Sequence, residues 1–315
     1  MDSTEGDSNI VFRSGVLHIM RKASERSPKQ RELIDRGLYL RSAALGTFGF
    51  CTRSAVDSEL LAPQWLELVE IDLDLNRRSH RLHGTRIAHI SDLHHSSTVG
   101  GEYLRRCIER VNQLNADIVV LTGDYITYDL WGRYRRKVTA LLGGIRSRFG
   151  TYACLGNHDY GLSAMSSRRR DYLLVRLLRG MKANGITVLR NESAVLDING
   201  HPLRLVGLGD LRVGDFHPAR AFADMSDDHV TIALVHNPRG VEYLNAFGVD
   251  VVFSGHTHGK TSRFPPEHVL NFKGRRFHAG MYDVGDTKLY VNRGLGRVGR
   301  MRFYSRPEIT VLTLR

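Results

Sequence analysis

The sequence predicts an α/β fold, and three features of it do so. Apolar segments rich in β-branched residues alternate with amphipathic segments of helical period through the first half. In the second half strand-type segments follow one another with little helix between them. Finally, the first polar residues after several of the apolar strands are Asp, Asn or His. In open α/β sheets that carboxyl edge is where ligands bind. At 315 residues the chain is long enough for one large domain with an extension.

Residues 1–61 read as an N-terminal extension, partly helical ("KQRELIDRGLYLRSAAL") and partly disordered, and 62–315 as the folded domain. "WLELVEIDLDL" (65–75) alternates as a strand does, and "RIAHI" (86–90) is a second strand. Leu104, Cys107, Ile108, Val111 and Leu114 recur at helical spacing. Then come a buried strand "DIVVLTGD" (117–124), a basic helix (133–145), a strand "GTYACLGNHD" (150–159) and a helix "DYLLVRLLRGMKANG" (171–185). "AVLDINGHPLRLVGLGD" (194–210) holds two strands around an Asn-Gly turn, a hairpin signal. "VTIALVHNP" (230–238) and "VDVVFSGHTHG" (249–259) are strands on either side of a short helix, and "KLYVNRG" and "EITVLTL" close the chain.

The formal charge is +12 and unevenly placed. Residues 131–148 carry six Lys/Arg and no acid, residues 292–306 carry five Arg and no acid, and "SSRRRDYLLVRLLRGMK" lies between them. Such an excess favours an anionic partner, whether a phosphorylated substrate, a nucleic acid or an acidic lipid surface; a set of solvated faces that aid solubility is the plainer alternative. The basic blocks lack the interleaved aromatic residues that stack bases, which disfavours nucleic acid. No apolar run reaches the 18 residues of a spanning helix, and "LYLRSAALGTFGFC" (38–51) imitates a signal peptide only faintly. Three scattered cysteines (Cys51, Cys107, Cys154) offer no disulfide framework and point to a reducing, cytoplasmic compartment.

Asp92, Asp124, Asn157, His158, His236, His256 and His258 each follow an apolar strand at its C-terminal end. Were strand geometry to persist through "SDLHHSS", Asp92 and His94 would project to one side and His95 to the other. Carboxylate, imidazole and amide without thiolate suit borderline-hard divalent ions: Mn²⁺, Fe²⁺ or Zn²⁺. The candidates are too many for one tetrahedral ion, whereas two ions sharing a carboxylate would use them all.

"DLH" (92–94), "GDY" (123–125), "GNHD" (156–159), "VHNP" (235–238) and "GHTHG" (255–259) occur in the order and spacing of calcineurin-like metallophosphoesterases, a family that residues 62–315 resemble. "HISDLH", "LTGDY", "LGNHDYG" and "RGLG" followed by "RPEI" look like its bacterial branch of membrane-associated phosphodiesterases, near the enzymes that cleave the pyrophosphate of UDP-2,3-diacylglucosamine. The resemblance implies two packed mixed β-sheets flanked by helices. It implies a first metal on Asp92, His94 and His258, a bridging Asp124, and a second metal on Asn157, His236 and His256. His158 would face the phosphate as general acid or transition-state stabiliser, and a hydroxide between the metals would attack a phosphodiester or pyrophosphate. His256 and His258 would serve different metals through a backbone turn that Gly255 and Gly259 permit. His95 is expected at the rim. Where the branch often has Gly-Gln after "GHTHG", this chain has Lys260 and Thr261, so Lys260, with His95 and Arg302, is a candidate for contacting substrate.

Arg168–Arg170, the helix after them and the arginines of 293–306 are expected around the mouth of the site, there to draw in an anionic, lipid-linked substrate or to seat the protein peripherally on an acidic membrane. Two alternatives stand beside this: a metal-free scaffold on the same fold, or, as an enzyme, a nuclease or nucleotide phosphodiesterase.

Overall fold

A computed structural model describes residues 65–75, 80–223, 229–259, 276–297 and 305–315. The expected extension (1–61) and its apolar stretch (38–51) lie outside them.

Strand β2 (Arg86–Ile90), β3 (Ile118–Thr122) and β4 (Thr151–Cys154) run parallel, with β5 (Ile186–Val188) beyond β4. On the other side of β2 lie an antiparallel β12 (Glu308–Leu314) and, parallel to β12, β1 (Glu67–Leu73), giving the order β1-β12-β2-β3-β4-β5. The second sheet also has six strands. In it β7 (His201–Gly207), β8 (Val230–Leu234), β9 (Val251–Ser254) and β11 (Thr287–Val291) are parallel. The antiparallel strands β6 (Glu192–Ile198) and β10 (Gly280–Val284) form its edges. The fold is thus two mixed six-stranded sheets flanked by helices.

Successive side chains on a strand face opposite ways, and that alternation builds the layers. Ile118 and Val120 point inward, joining Ile87 and Cys154 against Leu205, Ile232, Leu234 and Phe253 of the second sheet. Val119 and Leu121 point outward onto the helices, packing with Leu104, Val138, Leu142 and Leu177. Both faces of β3 are therefore buried, which is why "IVVLT" is a continuous apolar run.

Helix α1 (Gly101–Asn112) buries Leu104, Cys107, Ile108 and Val111, as its spacing predicts. Helix α2 (Arg133–Leu142) is three residues shorter than expected, and its first turn is held by Asp129, whose carboxylate accepts from the backbone N–H of Arg133 and Arg135. Helix α3 (Ser167–Ala183) starts at Ser166, whose hydroxyl accepts from Arg169 N–H. The β6–β7 turn has Asn199 at φ 54° and Gly200 at φ 87°, the conformation that an Asn-Gly hairpin needs. A one-turn α4 (Pro218–Ala221) follows β7. Strands β5 and β10 were not expected. Three residues directly behind a helix carry too little periodicity to register, and "GMYDV" declares itself only by pairing with β11.

Candidate metal centre

The residues that follow β2, β3 and β4 in one sheet and β8 and β9 in the other meet where the two parallel edges lie together. Five strands do deliver polar residues to one place, but across two sheets rather than along one edge. Nor does strand geometry persist into the site. Five of the eight non-glycine residues with positive φ among the described residues are Asp92 (51°), His94 (48°), Asp124 (56°), His256 (72°) and His258 (56°). Each such conformation costs about 1–2 kcal/mol and persists only where surrounding bonds impose it. Here they do: Asp92 N–H donates to the Gly123 carbonyl at 3.0 Å, His94 N–H to that of Asp124 at 3.0 Å, and His256 N–H to Asp92 Oδ2 at 2.9 Å.

Glycines make the approach possible. The turn at 256–259 is made by His256, His258 and Gly259, not by Gly255, whose φ is not positive. Gly255 is small for another reason, since a Cβ there would strike Ser91 Oγ and Asp92 Oδ2. Gly294 of "RGLG" (φ 77°) lies so close that a Cβ would meet Asp92 Cβ at 2.5 Å.

Each of the two central carboxylates has one oxygen fixed and one presented. Asp92 Oδ2 accepts from Ser91 Oγ at 2.6 Å and from His256 N–H, while Oδ1 faces His258 Nε2 at 3.4 Å and His94 Nε2 at 3.6 Å. Asp124 Oδ1 accepts from His158 N–H at 2.8 Å, while Oδ2 faces His236 Nε2 at 3.1 Å and His94 Nε2 at 3.6 Å. His94 and His258 bring their Nε2 atoms within 3.1 Å, and His256 Nδ1 lies 3.1 Å from His236 Nε2. The ligand atoms of Asp92, His94 and His258 lie together, as do those of Asp124, His236 and His256. His158 groups with His94 and Asp124.

This donor set fits divalent cations. Among the described residues Asp92 Oδ1 and Asn157 Oδ1 are buried with no hydrogen-bonding partner, and buried lone pairs left unmatched are costly. The histidines converge on one another rather than on donors. His236 Nδ1 lies 2.6 Å from the Thr122 carbonyl and His158 Nδ1 2.8 Å from that of Thr127. A carbonyl only accepts, so both Nδ1 atoms donate, which leaves the two Nε2 atoms as the ones that could offer a lone pair to a cation. Burial opposes charge on His236, yet Asp124, Asp92 and Asp210 outweigh it and hold its pKa well above the usual value. Burial, and then His236, push His256 down to about 3. Burial likewise lowers His158, only partly countered by Asp124. The centre is a concentration of negative charge that a cation would neutralise.

The profile of the "Calcineurin-like phosphoesterase" family matches residues 85–260, a span that contains every one of these side chains. The chain belongs to that family. Over 297 residues this phosphoesterase is 30% identical to the UDP-2,3-diacylglucosamine pyrophosphatase LpxG of Chlamydia muridarum, covering 80% of this chain and 90% of that protein. It is 32% identical over 259 residues to the uncharacterized metallophosphoesterase YkuE of Bacillus subtilis, covering 81% and 87%. It is 29% identical over 255 residues to the phosphodiesterase YaeI of Escherichia coli, covering 80% and 89%.

Three buried side chains on the loops and helix around the site went unassigned in the sequence. Asp159, the last residue of "GNHD", accepts from the backbone N–H groups of Asp124, Tyr125 and Gly156, each at 2.9 Å, and so welds two site loops together. Burial, with Asp124 beside it, pushes its pKa up to about 7. Arg135, buried in α2, donates to the Asp159 and Asp129 carbonyls and ties the helix to the same loop. Asp210 ends the β7 exit, the same first-polar-residue signal that marked the others.

His95, expected at the rim, is buried; its Nδ1–H donates to the Val99 carbonyl at 2.8 Å and its ring packs edge-on against Tyr134. Lys260 and Arg302 lie outside the described residues. Arg168 is exposed at the start of α3, and Arg169 Nη2 donates to the Leu130 carbonyl.

Proposed function

We propose that this phosphoesterase holds two divalent cations, Mn²⁺, Fe²⁺ or Zn²⁺, and hydrolyses a phosphodiester or pyrophosphate bond. Asp92, His94 and His258 would hold the first, Asn157, His236 and His256 the second, and Asp124 both. The observation that carries this reading is Asp124 Oδ2, set between His94 Nε2 at 3.6 Å and His236 Nε2 at 3.1 Å, one ligand from each cluster. Two such ions, when bound, polarise phosphoryl oxygens and make water a nucleophile at neutral pH.

The protein's own groups do the rest. Thr127 fixes the His158 ring through Nδ1 and leaves Nε2 free toward the site, beside the His94 ring at 5.0 Å between centroids. From there His158 serves the phosphoryl group as general acid or stabilises its developing charge. The neutral ring that burial favours becomes useful as a donor only once an anion arrives to stabilise the proton.

For substrate, the resemblance to LpxG supports a lipid-linked pyrophosphate, and the charge of +12 supports an anionic one. Among the described residues no helix is long and apolar enough to cross a membrane. Peripheral contact with an acidic, cytoplasm-facing leaflet would use the outer face of α3. There Arg168, Arg176, Arg179 and Lys182 are exposed around Tyr172 (50% exposed) and Val175 (41%). Cations flanking an aromatic and an aliphatic residue suit the headgroup region.

The test is metal analysis joined to a hydrolysis panel of nucleotide-sugar lipids, glycerophosphodiesters, cyclic nucleotides and short nucleic acids. Two ions per chain with turnover of the lipid-linked pyrophosphate is the expected result. No bound metal and no turnover with any of the three ions would leave the metal-free scaffold instead.

A further inference from the structure

Strand β7 runs beside β8, pairing Gly207 with Leu234, two residues before His236. Leu208 N–H continues the pairing by donating to the Leu234 carbonyl at 3.1 Å. The exit of β7 therefore travels with the exit of β8 toward the second cluster, and its first charged residue is Asp210. The turn after it is tight. Asp210 Oδ1 accepts from the backbone N–H groups of Arg212 at 2.9 Å and Val213 at 3.2 Å, and the Asp210 carbonyl accepts from Asp215 N–H at 3.2 Å.

Those bonds use one carboxylate oxygen. The other, Oδ2, is buried and has no hydrogen-bonding partner among the described residues, although the residue is only 1% exposed. A turn cap alone does not call for this arrangement, since Asn would accept the same two bonds without burying a charge. The same exit is tied to the loop after β4: Asp210 N–H donates to the Tyr160 hydroxyl at 3.4 Å, at the end of the single turn that begins with Asn157. Asp210 Oδ2 and Asn157 Oδ1 are thus two buried oxygens, unpartnered among the described residues, on loops that the Asp210–Tyr160 bond joins.

We propose that Asp210 is a further acidic residue of the second cation site, its Oδ2 serving the cation held by Asp124, Asn157, His236 and His256 either directly or through one ordered water. This rests on the dinuclear reading above and adds a residue to it. It also makes the two sites unequal, because the second then has a carboxylate of its own besides the shared one. A hard ion such as Mn²⁺ gains most from added oxygen and charge, so the second site becomes the more selective for Mn²⁺ over Zn²⁺.

Asp210→Asn tests it, because the amide oxygen keeps both turn bonds and only the charge is lost. Metal-stripped full-length protein is titrated calorimetrically with MnCl₂, alongside wild type and His256→Ala, which marks the second-site step. Wild type is expected to show two binding steps. In Asp210→Asn the step that His256→Ala abolishes should weaken about 10- to 100-fold, the usual effect of a residue supporting a metal site, and the other step should stay unchanged. The metal-free melting temperature of Asp210→Asn should equal or exceed that of wild type, since an unpaired buried carboxylate has been removed. Two unchanged Mn²⁺ steps would overturn the proposal, whether the metal-free variant melts at the wild-type temperature or below it; in the second case Asp210 only holds its turn. Wild-type protein with fewer than two steps would instead overturn the dinuclear reading itself.

Discussion

Asp124 places Oδ2 3.1 Å from Nε2 of His236, so one carboxylate reaches from the end of β3 in the first sheet to the end of β8 in the second. With Oδ1 pinned by His158 N–H at 2.8 Å, that oxygen cannot swing away. Asp124→Asn keeps the size and the Oδ1 bond but halves the ligand capacity and removes the charge. The variant is expected to lose the second ion and at least about a hundredfold in kcat. Metal content near wild type with an unchanged rate would show that Asp124 does not bridge.

His158 lies beside His94 and Asp124 with its Nδ1 committed to the Thr127 carbonyl, and the proposed role for it is catalysis rather than ligation. His158→Ala should lower kcat by roughly 10²–10⁴ and leave two ions bound per chain. An emptied site, measured by elemental analysis, would make His158 a ligand instead.

Gly294 is held at φ 77°, where a side chain would run into Asp92 and the Ser91 carbonyl. Gly294→Ala would put a methyl 2.5 Å from Asp92 Cβ, in a conformation that L-residues resist. Asp92 must then shift, so first-site Mn²⁺ affinity should fall about tenfold or more while stability drops by about 1–3 kcal/mol. Titration and urea unfolding read the two effects separately. Unchanged affinity and unchanged stability would show that "RGLG" does not hold Asp92 in place.

His89 lies between the sheets, stacked on Phe253 at 5.1 Å, with Nε2 2.8 Å from Thr122 Oγ1. Burial lowers its pKa from 6.5 to about 3, only partly offset by Asp92. The unfolded chain, titrating near 6.5, takes up a proton before the folded one does. This contribution to stability is therefore full above pH 6.5 and lost as pH falls toward 3, at about 1.4 kcal/mol per pH unit within that window. His89→Phe keeps a ring on Phe253 and should flatten the slope of unfolding free energy measured on metal-free protein between pH 7 and 4. Parallel slopes for the two proteins would assign acid lability elsewhere.

The outer face of α3 carries the membrane prediction. Wild type should float with anionic but not neutral vesicles, and less so as salt rises. Arg176→Glu with Arg179→Glu should abolish flotation while leaving hydrolysis of a soluble phosphodiester intact. Binding that survives both changes would move the contact to another surface.

The sequence by itself determined the parallel-strand core, the hairpin at Asn199-Gly200 and the identity of the polar residues at the strand ends. These are properties of single segments: a run of β-branched residues, a turn needing positive φ, the first polar side chain after an apolar strand. Tertiary structure alone decided the rest. No local pattern tells that β2, β3 and β4 share one sheet and β8 and β9 another, or that Asp92 and His94 leave strand geometry for left-handed backbone. Those conformations are unfavourable in isolation and are imposed by Gly123, Asp124 and Gly294 from distant parts of the chain. The same is true of His95, Asp159 and Asp210. Nothing in "DLHHSS" buries His95 under Tyr134, and nothing in "GNHD" or "GLGD" aims one carboxylate at three backbone N–H groups and leaves an oxygen of the other unmatched. Which atom of a residue faces the site depends on what occupies its other atom, and that partner comes from another strand.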